Sequence, residues 1–435
     1  MDARLPPRAA LGRTLLERAA SLARHSDSPD RYTRTWLTPA HRAAASDIAR
    51  WMEEAGMAVR VDAMGSVIGR YEAASPDAKA LLLGSHFDSV RNGGKYDGVL
   101  GILVPIACVA ELHAHGERLP HAIEVAAFAD EEGARFRTSF LASRAMLGRF
   151  DPALLDRRDA AGVSLREAML AAGLDPARIG EAAIDTARIG AYVEVHIEQG
   201  PVLLAEGSAL GVVTSIAGGT RHSLGVLGQS GHAGTVPMGL RRDALAAAAE
   251  MVLAIEKRCS AGGSLVGTVG MIEVQNGSAN VIPGAVEFSV DIRAAEDEMR
   301  EAAEGDVFAA CEAIAKRRGV ALERTRTHFV RAAPCAEWLQ HALAHAVQGV
   351  GAPRPSPEVR RLPSGAGHDA MILAEAVDAG MLFVRCGAGG VSHNPAETVD
   401  AQDAGAAAQA LLAFLRALRF PLEGKARVSA GSGAR

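Results

Sequence analysis

Four short apolar runs along the chain each end in polar residues: ALLLGSH (80–86), AIEVAAFADEE (122–132), YVEVHIEQG (192–200) and GMLFVRCG (380–387). Runs of this length, bounded by turn residues and separated by helical periodicity, predict strands of a mainly parallel sheet. Ligands of such sheets bind beyond the carboxyl ends of the strands, which is where the polar residues stand. The first run is followed by an apolar stretch from Val99 to Ala110, read as a helix. It stops at Glu111, short of the roughly 20 residues a bilayer span requires. The N-terminal segment repeats charges every few residues without an apolar core, which predicts an amphipathic helix rather than a signal peptide.

From residue 214 to 329 the pattern changes. LGVLG (224–228) reads as a strand, Asp243 to Cys259 as a helix, and VGTVGMIEV (266–274) and AVEFSVDIR (285–293) as two further strands. A helix from Glu296 to Arg318 and a strand from Ala321 to Phe329 complete a βαββαβ order, the split βαβ or ferredoxin-like arrangement. After Pro334 a helix (Trp338 to Gln348), the GAGHDA loop, the fourth strand and a last helix (Ala401 to Leu418) rejoin the first domain. The expected fold class is therefore α/β: a mainly parallel mixed sheet with helices on both faces, spanning 1–213 and 330–420. An inserted α+β domain over 214–329 and a loose tail over 421–435 complete it.

A chain of 435 residues exceeds one ordinary core. The net charge of -5, with Lys and Arg scattered, leaves no basic field for nucleic acid, and no stretch suits a membrane. Five cysteines without a CxxC pair argue against disulfides and thiolate metal sites, and favour the cytoplasm.

The stretch GSHFDSVRNGGKYDGVLG (84–101) sets His86 just past a strand, Asp88 two residues on, and Asp97 at the expected N-cap of the helix beginning at Val99. Gly93 and Gly94 allow a sharp turn that aims Asp97 back toward His86. Three other strand ends supply matching chemistry: Asp130, Glu131 and Glu132; His196 and Glu198; and His393. An acidic cluster is often a solvated turn, yet FADEEGARF lies among apolar residues, where unpaired carboxylates are costly and a cation removes the cost. Three histidines with two carboxylates suit two divalent ions, zinc or manganese. Of two adjacent glutamates, one can ligate while the other takes the proton of a water nucleophile. Asp88 fits equally a partner orienting the His86 ring and an ordinary turn aspartate.

These motifs, with HIEQGP, GHAGTVPMGLRRDAL, ANVIPG, SGAGHDA and SHNPAE, resemble the M20 metallopeptidase-type amidohydrolases. The likeness is to the branch of allantoate amidohydrolases and N-carbamoyl-L-amino-acid hydrolases, and it runs from His86 to Glu397. It implies two ions bridged by Asp97, with His86 and His196 on one, Glu132 and His393 on the other. Glu131 would be the general base and Asp88 the partner of His86, with a cis peptide from Asp97 to Gly98. It implies substrate contacts from Gln199, His232, Asn280, Arg293, Gly367 and His368, His232 also serving the oxyanion. The inserted domain becomes a dimerisation lid, making the protein a homodimer in which some of these residues reach across. The expected reaction is hydrolysis of a ureido C–N bond in a small carboxylate substrate, allantoate before N-carbamoyl amino acids. An aminopeptidase or acylaminoacid hydrolase is a more distant alternative, and a catalytically dead binding module one from another class.

Overall fold

The structure is a computed structural model and describes residues 7–421. The expected loose tail lies, apart from Pro421, outside them. The expected first strand forms as Ala80–His86, and every residue in it is buried. A strand buried along its whole length needs cover on both faces, which explains its unbroken apolar sequence. It pairs in parallel with Ala122–Phe128 on one side and Ile189–Ile197 on the other, and Ala379–Val384 extends the parallel set beyond Ile189–Ile197.

Antiparallel strands flank this centre. Val67–Tyr71 and then Ala58–Val61 continue one side, while Leu210–Ile216 and Ala333–Pro334 continue the other; Arg361–Ser364 runs parallel to Leu210–Ile216. The helix Val99–Ala114 packs on Ala80–His86 and Ile189–Ile197, and Ala401–Ala417 packs on Val99–Ala114, Arg8–Ala23 and Glu337–Gly349. Pro39–Glu54 covers Val67–Tyr71, and the short helix Asp369–Leu373 lies on Ala379–Val384. No helix among the described residues is long and apolar enough to cross a membrane.

The chain leaves the first sheet after Ile216 and enters a second one at Gly218. This antiparallel sheet runs Ile272–Val274, Ala285–Ala294, Gly218–Leu227, Ala321–Val330, with Val266–Thr268 also on Ala285–Ala294. The run VGTVGMIEV therefore makes two short strands rather than one. Helices Ala244–Cys259 and Asp297–Arg318 pack on this sheet over their own core, which includes Val226, Met251, Phe288, Val290 and Val307. A two-residue pairing of Gly231–His232 with Val281–Ile282 sits apart from both sheets.

Candidate metal centre and substrate cavity

The carboxyl ends of the parallel strands converge on one cluster. His86 closes Ala80–His86, and His196 lies near the end of Ile189–Ile197. Asp97 stands between the rings. One carboxylate oxygen, Oδ1, is 3.3 Å from His196 Nε2 and 3.9 Å from His86 Nε2. The other, Oδ2, is 3.1 Å from His393 Nε2, which is also 3.4 Å from Glu132 Oε1. Ligand atoms of His86, Asp97 and His196 all lie within 4.8 Å of one another, as do those of Asp97, Glu132 and His393. Glu131 joins a third such group with His86 and Glu132.

The loop that delivers Asp97 differs from the sequence expectation. Asp97 is not the N-cap; Gly98 holds that position with φ 65°, so the aspartate side chain is free to face the histidines. A Cβ at Gly98 would overlap His86, which makes glycine obligatory there. No cis peptide occurs among the described residues: the left-handed Gly98 turns a trans chain instead. Gly94 does not make a left-handed turn; a side chain there would overlap the Glu397 carboxylate.

Glu397 is the residue that sequence reasoning missed. It is buried and accepts hydrogen bonds from the backbone N–H of Tyr96 at 2.8 Å and of Asp97 at 3.1 Å, and from Ser392 Oγ at 2.7 Å. It thus ties the Asp97 loop to the His393 loop. The available signal was its place in SHNPAE beside His393.

Asp88 does more than the expected orienting of one ring. Its carboxylate accepts the backbone N–H of Glu131 at 3.0 Å and of Glu132 at 3.2 Å. His86 Nδ1 lies 3.1 Å from the Asp88 backbone oxygen and 3.4 Å from its carboxylate. His196 Nδ1 faces the Ile197 carbonyl at 2.8 Å, which leaves Nε2 aimed at the cluster. Glu198 and Asp130 take no part. Glu198 caps Val202–Glu206 by accepting Val202 N–H at 2.8 Å and Leu203 N–H at 3.0 Å, and Asp130 is buried outside the three groups.

Crowding of these groups moves their protonation. Burial first, then neighbouring acids, raises Glu131 well above its ordinary range; burial also raises Glu132. Hydrogen bonds to Asp97 and Glu132 lift His393 to about 10. Burial would raise Asp97, but the His393 hydrogen bond and the charges of His196 and His86 hold it well below the carboxylate range. Buried acids that strain to keep protons, alternating with imidazoles and lacking any thiolate, are the donor chemistry of a hard to borderline divalent cation. The residues fit such ions.

A cavity of about 670 Å³ opens over the cluster between the two sheets. Gln199, with φ 55°, leans over its floor, donating from Nε2 to both Asp97 oxygens at 3.1 and 3.2 Å. Arg293 reaches the wall from the second sheet, where Asp291 holds its Nε and Nη2 at 3.0 and 3.1 Å and Gly365 O accepts from Nη1 at 2.9 Å. Gly367 also lines the cavity, packed so closely on the Phe140 ring that a Cβ would clash.

Other expected substrate residues are placed elsewhere. His368 is buried behind the floor, bonded to Ser364 Oγ at 2.8 Å and packed on the His196 ring at 4.4 Å between centroids. His232 and Asn280 do not line the cavity; both lie at the small strand pair, where His232 stands opposite Val281 and Ala233 N–H donates to Asn280 O at 2.9 Å. The Cys386 thiol is pushed to about 12, mainly by burial, and accepts the Gln199 N–H at 3.3 Å, so it is no nucleophile. Arg385 points away, paired with Asp403 at 2.8 and 3.0 Å.

Residues 82–417 match the Peptidase family M20/M25/M40. The chain is 44% identical to an N-carbamoyl-L-amino acid amidohydrolase of Geobacillus stearothermophilus, over 87% of this chain and 91% of that protein. It is 40% identical to an allantoate deiminase of Arabidopsis thaliana, over 92% of this chain and 81% of that one. An amidase of the hydantoinase/carbamoylase family from Burkholderia multivorans superposes with a TM-score of 0.86 at 33% identity, covering 93% of this chain and 97% of the other.

Proposed function

The chain belongs to peptidase family M20/M25/M40 as a metal-dependent hydrolase of amide C–N bonds, and from that premise we propose that it cleaves a ureido C–N bond in a small carboxylate substrate, releasing ammonia. Allantoate is the first candidate, because the motifs NGGKYDGVLG and GGVSHNPAE are most like that branch. N-carbamoyl-L-amino acids are the second reading, favoured by the 44% identical relative.

The observation that carries the proposal is Asp97 shared by two donor groups, one oxygen toward His86 and His196 and the other toward His393 beside Glu132. His86 and His196 would hold one ion, Glu132 and His393 the second, and Asp97 both. When bound, two zinc or manganese ions supply Lewis-acid polarisation of the scissile carbonyl. Glu131, positioned by the Asp88 hydrogen bond to its N–H, takes the proton of the attacking water and returns it to the leaving nitrogen. Gln199 orients the substrate above the floor, and Arg293 offers its guanidinium to the substrate carboxylate. Gly367 leaves the wall open, and His368 acts through His196.

Domain limits near 1–213 with 330–420 and 214–329 follow from the same reading, with the second domain a dimerisation lid. The strands of one edge, Val266–Thr268 and Ile272–Val274, and the turn between them leave Val266, Met271 and Ile272 exposed, which supports a homodimer built there. His232 and Asn280 would then serve the site of the partner subunit. The cytoplasm is the fitting compartment, since all five cysteines are free and buried.

The decisive experiment assays ammonia release by purified protein over allantoate and a panel of N-carbamoyl-L-amino acids, before and after chelation and with zinc or manganese restored. Activity abolished by chelation and regained with metal supports the proposal. Indifference to chelators, or release from neither substrate class, would overturn it.

A further inference from the structure

The arginines around the cavity are not equivalent. Arg293 is engaged by Asp291 and Gly365 O, Arg221 by Asp291 at 2.8 Å, and Arg157 by Arg137 O at 2.8 Å and by Thr138 Oγ1. Arg137 and Arg144 line the same cavity and neither has a side-chain partner among the described residues; Arg137 is exposed, whereas Arg144 is partly buried. Arg144 sits on the short helix Leu141–Met146, directly after the turn that carries Glu131. That turn is closed on the helix by two backbone bonds, Phe140 N–H to Glu131 O at 2.9 Å and Ala142 N–H to Asp130 O at 3.4 Å. The backbone at Arg144 is therefore fixed relative to the base, while its guanidinium is left without an acceptor.

A partly desolvated guanidinium without a partner is costly, and its planar fork matches a carboxylate or a ureido oxygen. Arg144 and Arg293 also come from different halves of the molecule, the first from the segment between strands of the large sheet and the second from the second sheet. A substrate with one acceptor group needs one of them. A substrate with an acceptor group at each end can use both.

We propose that Arg144 is a second substrate anchor, selecting ureido acids that carry a further planar acceptor, a side-chain carboxylate or a second ureido oxygen, over those with an apolar side chain. The inference rests on the ureido-acid reading above and narrows its substrate class.

Steady-state kinetics of the metal-loaded enzyme test it with allantoate, N-carbamoyl-L-aspartate and N-carbamoyl-L-valine, for wild type, Arg144→Gln and Arg144→Lys. Loss of a charge-assisted pair corresponds to about tenfold to hundredfold in affinity. Arg144→Gln should raise KM by that factor for allantoate, the aspartate derivative or both, with kcat changed far less and the valine derivative little affected. An effect on allantoate alone identifies a ureido oxygen, and one on the aspartate derivative alone a carboxylate. Arg144→Lys keeps the charge without the fork and should fall between. Equal losses on all three substrates, no change on any, or a wild-type preference for the valine derivative overturns the proposal. So does full recovery in Arg144→Lys of a protein that Arg144→Gln has unfolded, because that marks a packing role. A wild type inactive on all three overturns the ureido reading itself, whereas an active wild type with unaltered selectivity in Arg144→Gln overturns only this inference.

Discussion

At the scale of single residues, the centre asks neighbouring groups to hold opposite protonation states. His393 keeps its proton up to about 10 because Asp97 and Glu132 accept from it, while burial makes Glu131 hold a proton above the ordinary carboxyl range. In the roles proposed for them both groups must lose those protons, the histidine to ligate and the glutamate to act as base. Metal uptake therefore releases protons and weakens as pH falls. Calorimetry in buffers of different ionisation enthalpy should record the release, and manganese affinity should fall progressively as the pH drops below about 10, where His393 takes up its proton. Affinity flat across that window would remove His393 from the ligand set. Glu131→Gln separates ligation from chemistry: metal content should stay at the wild-type level while kcat falls about 10²- to 10⁴-fold, the usual weight of a general base. Metal analysis beside the ammonia assay reads both quantities.

At the scale of elements, the cluster is only as well ordered as the loop from Phe87 to Gly98, which two separate segments hold. Arg34 donates from Nε to Phe87 O at 2.6 Å, Ser89 N–H and Gly93 N–H reach Arg34 O and Tyr32 O at 2.9 Å each, and Glu397 takes the Tyr96 and Asp97 amides. Glu397→Ala should cost about tenfold to hundredfold in metal affinity, the weight of a group that orients a ligand. Titration with a competing chelator would show it, and an unchanged affinity would reduce Glu397 to packing. Gly98→Ala forces an L-residue to φ 65° against His86, a strain of about 1–3 kcal/mol or more, to be read as a lowered melting temperature with and without metal. The elements that carry these loops were legible for a physical reason. Ala80–His86 and Ala379–Val384 are buried throughout, so their sequences are unbroken apolar runs with polar ends. Ala58–Val61 was not, since three of its four residues are exposed and it alternates with arginine and valine as a loop also could. The five candidate ligands were legible because each follows such a run or lies in a recognisable loop. The holding contacts of Glu397, Asp88 and Arg34 were not, because they join backbone amides that any sequence possesses.

At the scale of the whole molecule, the cavity between the sheets has Arg293 and Gly367 on its walls and Gln199 over its floor, yet His232 and Asn280 lie outside it, at the small strand pair. Their placement could not be read from a sequence in which they are remote, and on the dimer proposed above a second copy would bring them to the cavity. If the exposed edge at Val266, Met271 and Ile272 joins two copies about a twofold axis, each copy presents its His232 to the other, as an isologous interface requires. The arrangement has a consequence that packing alone does not. Glu131→Gln and His232→Ala homodimers should both be nearly inactive. Unfolding and refolding them together in equal amounts gives about half heterodimers, and in each of these one site pairs an intact Glu131 with an intact His232 from the opposite chain. Activity should recover to about one quarter of wild type, the share of intact sites expected for random pairing in a twofold dimer. If His232 instead serves its own chain, every site in the mixture keeps one defect and no recovery occurs.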